Sequence, residues 1–280
     1  MDRDVDLGLF GPDSVSWRVH AEPILWMAGL RALYLQALHP RAIAGVVQNS
    51  NFRTDSWGRL MRTAEYVGTV VYGTTDQAHR AGARVRGVHS RLRATDPATG
   101  EQFRIDEPEL LLWVHVTEVE SFVTTARRSG LALTDAEVDQ YLAEQVRAAE
   151  LVGLDPAVVP ASAAAVEDYY ALMRPSLALS PPTVDVAQFL AVPPMPRGLG
   201  WTPARPAWLG IAGAAFALLP RWARRLYRMP GLPTTDVAAT LAARAGRLAL
   251  RAVPLKPGPI YTDAMRRADV VRSRSAGVAT

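Results

Sequence analysis

The stretch Asp106-Glu-Pro-Glu-Leu-Leu-Leu-Trp-Val-His-Val-Thr-Glu-Val-Glu-Ser-Phe-Val-Thr-Thr-Ala-Arg-Arg-Ser-Gly130 decides the fold. Pro108 suits the first turn of a helix, Asp106 can cap it, and Glu109 can close a capping box. Gly130 sets the expected end just past Arg128. Leu111, His115, Glu118 and Phe122 recur at spacings of three and four, so they line one side. The apolar run around them is nearly continuous, so His115 is expected to be buried. Burial disfavours a charged imidazole and leaves the ring neutral, free to ligate a metal or to accept a hydrogen bond. Glu118, one turn on, is the alternative partner for it.

The same helical period runs outward in both directions, and strand signals are nearly absent. Helices are expected over 15–37, ending near His39-Pro40, and over 56–71, capped by Asp55 with Gly73 just beyond. Another is expected over 76–93. Asp96-Pro-Ala-Thr-Gly100 is a turn, with a short strand possible over 102–105. A second capping box, Thr134-Asp-Ala-Glu137, opens a helix over 135–151. Further helices are expected over 162–172, 183–190, 208–227, 235–251 and 261–271, with proline-rich loops over 175–182 and 193–206. The fold class is therefore all-α: one multi-helix domain over 1–280, with at most one short hairpin.

Composition supports this and excludes several functions. Of 280 residues 49% are hydrophobic, which is enough for a full core, and none is cysteine. Disulfides, thiolate metal sites, iron–sulfur clusters and cysteine nucleophiles are thereby excluded. A reducing, cytoplasmic location is the natural expectation. The start, MDRDVDLGLF, is acidic and reads as neither a secretory signal nor a transit peptide. The longest weakly polar stretch, 207–220, falls short of the roughly 20 residues a membrane span needs. It reads as a core helix, with membrane-surface contact as the other option. Charge is uneven: 14 basic residues against 3 acidic ones leave 197–280 at +11 and the rest at −7. A basic C-terminal third admits contact with anionic lipid. Nucleic acid is disfavoured, because only one of those residues is Lys, no aromatic platforms are interleaved and no motif is present.

The common nucleophile elbows, zinc-protease helices, phosphate loops and dinucleotide fingerprints are all missing. What remains is five histidines, at 20, 39, 79, 89 and 115, and many arginines. Arg59, Arg62, Thr63 and Tyr66 share a helix face, which reads either as a solvated stripe paired with Glu65 or as an anion clamp. His89 shares a face with Val85 and Leu92, and Gly82 leaves a gap there that a flat ligand could use. A lone histidine on such a face is more often a hydrogen-bonded core residue. His39 is placed to cap the carbonyls of the helix before it, and His20 and His79 read as solvated. Zinc or non-haem iron would need two or three clustered ligands, and no such spacing occurs. Haem needs one axial histidine, an apolar slot and arginines for its propionates, and fits this inventory better.

The ordered set Leu35-Gln-Ala-Leu-His-Pro40, Gly45-Val, Ser50-Asn-Phe52, Arg59-Leu-Met-Arg-Thr63, Val71-Tyr-Gly73, Val85-Arg-Gly-Val-His89 and Leu111-Leu-Trp-Val-His115 resembles a haem-dependent oxygenase family. That family includes the fungal mycophenolic-acid biosynthesis oxygenase and the bacterial latex-clearing rubber oxygenase. The resemblance covers residues 8–190 well and the remainder loosely. It implies an all-α fold enclosing a b-type haem held by one proximal histidine. His89 is implied as the axial ligand, with His115 as runner-up or as a distal-pocket residue. Arg59 and Thr63 map onto catalytic positions, and Arg59 and Arg62 onto the cofactor surroundings. Arg62 stands where the rubber enzyme has a ligating lysine; an arginine stays protonated, so that ligation is not expected here. Gln48-Asn-Ser-Asn-Phe52 lacks the histidine that often precedes this phenylalanine in the family.

The reading is a haem b (iron) oxygenase acting with dioxygen on an apolar small molecule, with oxidative cleavage of a carbon–carbon double bond as the reaction the relatives suggest. Two other readings stand beside it. One is a haem-binding or sensing protein without turnover. The other is a cofactor-free helical protein whose basic third contacts a membrane surface.

Overall fold

The computed structural model describes residues 5–195, 202–253 and 257–278. Prolines divide the expected helical runs. The run over 15–37 is two helices, α1 (Val15–His20) and α2 (Leu25–Gln36), because Pro23 interrupts the backbone ladder. Pro40 opens a helix the periodicity did not reveal, α3 (Pro40–Asn49). The expectation for His39 is corrected here. The residue before proline is held extended, with φ −87° and ψ 115°, so its ring turns towards the next helix. Its Nδ1 accepts from the Ala42 amide at 3.3 Å, capping the start of α3 rather than the end of α2.

Next come α4 (Ser56–Tyr72) and α5 (Thr75–His89), the latter opened by a capping box of Thr74 and Gln77. The helix expected to reach Arg93 stops at His89, because Arg93–Thr95 forms a strand, β1, antiparallel to β2 (Gln102–Arg104). The turn between them has Gly100 at φ +75°, with its amide on the Asp96 carbonyl at 2.8 Å. Ala94 and Phe103 pair in register and are buried with Ala44 and Leu110.

The central helix is α6 (Pro108–Arg128). Its cap is corrected to Glu107; Asp106 instead receives the Arg104 guanidinium at 2.8 and 2.6 Å. Gly130, at φ +100°, ends it as expected. Helix α7 (Asp135–Leu151) starts at the expected Thr134–Glu137 box. Beyond it lie α8 (Ala163–Met173), α9 (Pro181–Ala191), α10 (Ala204–Ala217), α11 (Arg221–Leu226), α12 (Pro233–Ala252) and α13 (Pro259–Val278). Pro220 splits the run expected over 208–227. The loop expected over 193–206 falls partly outside the described residues.

The fold is all-α with one hairpin among the described residues. Helix α2 lies along α6, and α10 covers α2. Ile24, Leu35, Leu38, Trp113, Tyr141, Leu142 and Leu218 form the centre of one core that draws on residues from Val15 to Ala243. Much of the basic C-terminal charge is answered internally: Arg221 and Arg224 pair with Asp236, each at 2.6 Å, and Arg247 and Arg251 pair with Glu22, each at 2.7 Å. No described helix is long and apolar enough to cross a membrane.

Candidate functional site

Helix α6 carries two titratable groups that burial shifts far from their ordinary values. Burial pushes the His115 imidazole down to about 4 and the Glu118 carboxyl up to about 7. Both residues nevertheless keep part of their surface accessible. Both shifts come from desolvation among the packed helices, with no opposing charge to offset it. His115 Nε2 itself is fully shielded and has no hydrogen-bond partner among the described residues. The pairing with Glu118 allowed by the sequence does not form.

Glu118 ties the neighbouring helices into one electrostatic unit. Burial, and then the Glu118 charge, pushes the Tyr66 phenol of α4 up to about 12. The Tyr141 phenol of α7 is raised by the same two causes in the same order. The expectation of a solvated His20 is corrected. Its ring meets Phe122 edge-on at 5.2 Å, its Nε2 lies 3.2 Å from the Tyr141 hydroxyl, and burial drives it down to about 3. The six-residue α1 is covered on most sides, and Arg18 and Glu22 nearby made its surface look polar. His79 lines a surface pocket of about 300 Å³ with Arg86, Arg147 and Glu150.

His89 and Arg59 stand close enough for the Arg59 charge to act on the His89 ring. His89 is the last residue of α5 and is half-buried. Burial lowers its pKa; Asp106 opposes the shift and Arg59 adds to it. The ring is therefore neutral near pH 7, and no hydrogen bond to it occurs among the described residues. Arg59, also half-buried, has its pKa lowered by burial and then by Arg62, and its guanidinium donates to the Ser50 hydroxyl.

The stripe expected on α4 is thus divided. Arg59 and Tyr66 are half-buried, whereas Arg62 and Thr63 are exposed. Arg62 pairs with Asp55 at 2.9 Å rather than with Glu65, and the Thr63 hydroxyl donates to the Arg59 carbonyl at 3.1 Å. The gap expected at Gly82 is filled by protein, since a Cβ there would lie 2.6 Å from the Leu151 carbonyl oxygen. This glycine lets α7 approach α5.

The structure also shows a buried network that periodicity missed, in which Arg31 on α2 meets Glu120 on α6 at 2.6 Å. The available signal was a lone arginine inside Leu25-Trp-Met-Ala-Gly-Leu-Arg-Ala-Leu-Tyr-Leu-Gln36. A charge in such a helix needs a carboxylate from elsewhere.

The raised Glu118 pKa has a consequence for stability. Folding holds this carboxyl protonated from its ordinary 4.5 to about 7. Its contribution is fully present below pH 4.5 and is lost as pH rises through 7. Glu118→Gln is expected to flatten the loss of stability between pH 4.5 and 7, read as urea midpoints across that range. An unchanged slope would place the carboxyl in ordinary solvent.

Among the described residues no group of three or more His, Asp or Glu side chains gathers as a metal site. A family model described as ER-bound oxygenase mpaB/B'/Rubber oxygenase, catalytic domain, matches residues 17–252. No curated protein and no solved structure matches the chain.

Proposed function

The chain belongs to the ER-bound oxygenase mpaB/B'/rubber oxygenase family and is an oxygenase; on that premise we propose that it works with haem b on an apolar organic substrate, by oxidative cleavage of a carbon–carbon double bond. The observation that carries the haem reading is the pair of His89 and Arg59. A neutral, partly accessible imidazole with no hydrogen bond stands within the field of a desolvated guanidinium. That donor set fits haem, which takes one axial nitrogen and cationic partners for its propionates.

In this reading His89 is the axial ligand. Its accessible ring suits ligation better than His115, whose Nε2 is shut off from any water-sized space. Bound haem would supply an iron that binds and activates dioxygen. The remaining work falls to the chain. Arg59 would hold a fixed positive charge beside the haem, fit for a propionate. Arg62, paired with Asp55, stands at the rim, and the Thr63 hydroxyl, which donates to the Arg59 carbonyl, is left to accept a hydrogen bond. Glu118 holds a proton near neutral pH and can return it to an oxygen that gains negative charge. His115 stays neutral, with its Nε2 enclosed by protein. The segment 197–280 is part of the same domain in this reading, and the cysteine-free chain suits a reducing compartment.

The test is an absorption spectrum of the purified protein after haem supplementation, oxidised and reduced, with and without carbon monoxide. A Soret band that shifts on reduction and again with carbon monoxide is expected. A colourless protein after supplementation overturns the haem reading. A six-coordinate iron that ignores carbon monoxide would favour binding without turnover.

A further inference from the structure

Helix α12 carries an outer face that no other element among the described residues covers. Leu232, Val237, Leu241, Leu248 and Val253, along the helix and its two ends, are 53%, 61%, 59%, 69% and 50% exposed. Val237, Leu241, Arg244, Leu248 and Arg251 follow at spacings of three and four, so they form one stripe. Alanines at 238, 245, 249 and 252 beside it are also exposed and keep the surface low. The opposite face is docked: Ala239 and Ala243 are buried, Arg128 bonds the Thr240 hydroxyl at 2.8 Å, and Arg247 holds Glu22. The helix is thus fixed with its apolar stripe outward, about 30 Å long at 1.5 Å per residue.

The charges around the stripe are one-sided. The helix has a single acidic residue, Asp236, and it is taken up by Arg221 and Arg224. Arg244, within the stripe, is exposed and has no partner among the described residues, as do Arg225 and Arg228 in the chain leading to the helix. Leucines interleaved with the unpaired Arg244, and with Arg251 half-exposed though held by Glu22, are the pattern of a helix lying in a membrane interface, where apolar side chains enter the acyl boundary and arginines reach the headgroups. A second copy fits poorly, because a twofold packing on this face would set Arg244 near its own equivalent with no acidic group to answer it.

We propose that the outer face of α12 docks this protein on an anionic lipid bilayer, in the plane of the interface. This rests on the α12 surface alone and is independent of the haem reading. It would also bring the molecule to where an apolar substrate partitions.

Flotation with vesicles of phosphatidylcholine, and of phosphatidylcholine mixed with phosphatidylglycerol, tests it on the full chain. The protein is expected to float with the anionic vesicles, less with the neutral ones, and less as salt is raised. Leu241→Asp with Leu248→Asp should cut partition at least about tenfold. Arg244→Glu should cut it about fivefold on anionic vesicles only. The serine pair at 241 and 248 replaces the aspartates if circular dichroism shows that those misfold. Failure of the unaltered protein to float overturns the proposal, as does undiminished flotation of the variants. A concentration-dependent dimer in light scattering that the leucine variants dissolve would also overturn it and assign the face to a second copy.

Discussion

Glu120→Ala is expected to destabilise the protein by about 3–5 kcal/mol, the range for removing one partner of a buried ion pair. Arg31 is almost wholly enclosed, with its side chain 2% exposed. Its guanidinium meets both Glu120 oxygens, at 2.6 and 2.9 Å, and also donates to the Ser121 hydroxyl at 2.6 Å and the Leu218 carbonyl at 3.1 Å. The Tyr170 and Thr124 hydroxyls donate to the same carboxylate at 3.0 and 2.9 Å. Glu120 thus joins α2, α6, α8 and the end of α10 around one charge. Arg128 also reaches the Leu218 carbonyl, at 3.4 Å, and the charges of Arg31 and Arg224 help to lower its pKa after burial. Without Glu120 three guanidiniums would crowd this corner with Asp236 as the remaining carboxylate. A large fall in the thermal midpoint should follow. The apolar pair Arg31→Met with Glu120→Leu should recover most of it, because the desolvation penalty goes with the charges. A cost below about 1 kcal/mol for Glu120→Ala would show that water reaches the pair.

This network also shows where sequence reading stops. The period in 106–130 and the capping box at Thr134 are local signals, and the structure follows them to within a residue or two. Prolines 23, 40 and 220 are local as well, but their effect depends on what the chain does next, so the helical period alone runs through two breaks and hides α3. Arg31 and Glu120 are 89 residues apart, and no local pattern joins them. His20 is the same case in reverse: its burial comes from Phe122 and Tyr141, over a hundred residues away, while its own neighbours look polar. The pairing of Arg59 with His89 was legible only through the ordered motifs. Spacing within α4 put Arg59, Arg62 and Thr63 on a common stripe, but which of them turns inward depends on Ser50 and Asp55. Gly82 was visible as a gap, and only the path of α7 shows that Leu151 fills it.

His89→Ala is expected to abolish haem retention through gel filtration, whereas His115→Ala should keep the haem. The loss at His89 should exceed the roughly 10–100-fold in affinity that removal of a mere supporting partner costs. The reasoning is one of access. A ligating nitrogen must be neutral, unpaired and open to a large flat group. His89 meets the first by burial and by the nearby Arg59 charge, and it has no hydrogen bond to break. It sits at the last turn of α5, where it is only half-buried. His115 is at least as firmly neutral, but its Nε2 lies against protein on every side. Haem could reach that atom only if the ring left its present position within α6. Added imidazole should restore the Soret band to His89→Ala by filling the space the ring leaves, a rescue that a protein damaged only in its fold would not show. His115→Ala should instead leave the band in place, since its ring is packed within the protein and does not reach the iron in this reading. The reverse pattern, with haem lost from His115→Ala and kept by His89→Ala, would move the iron to α6 and turn Arg59 from a neighbour of the ligand into a group serving the substrate.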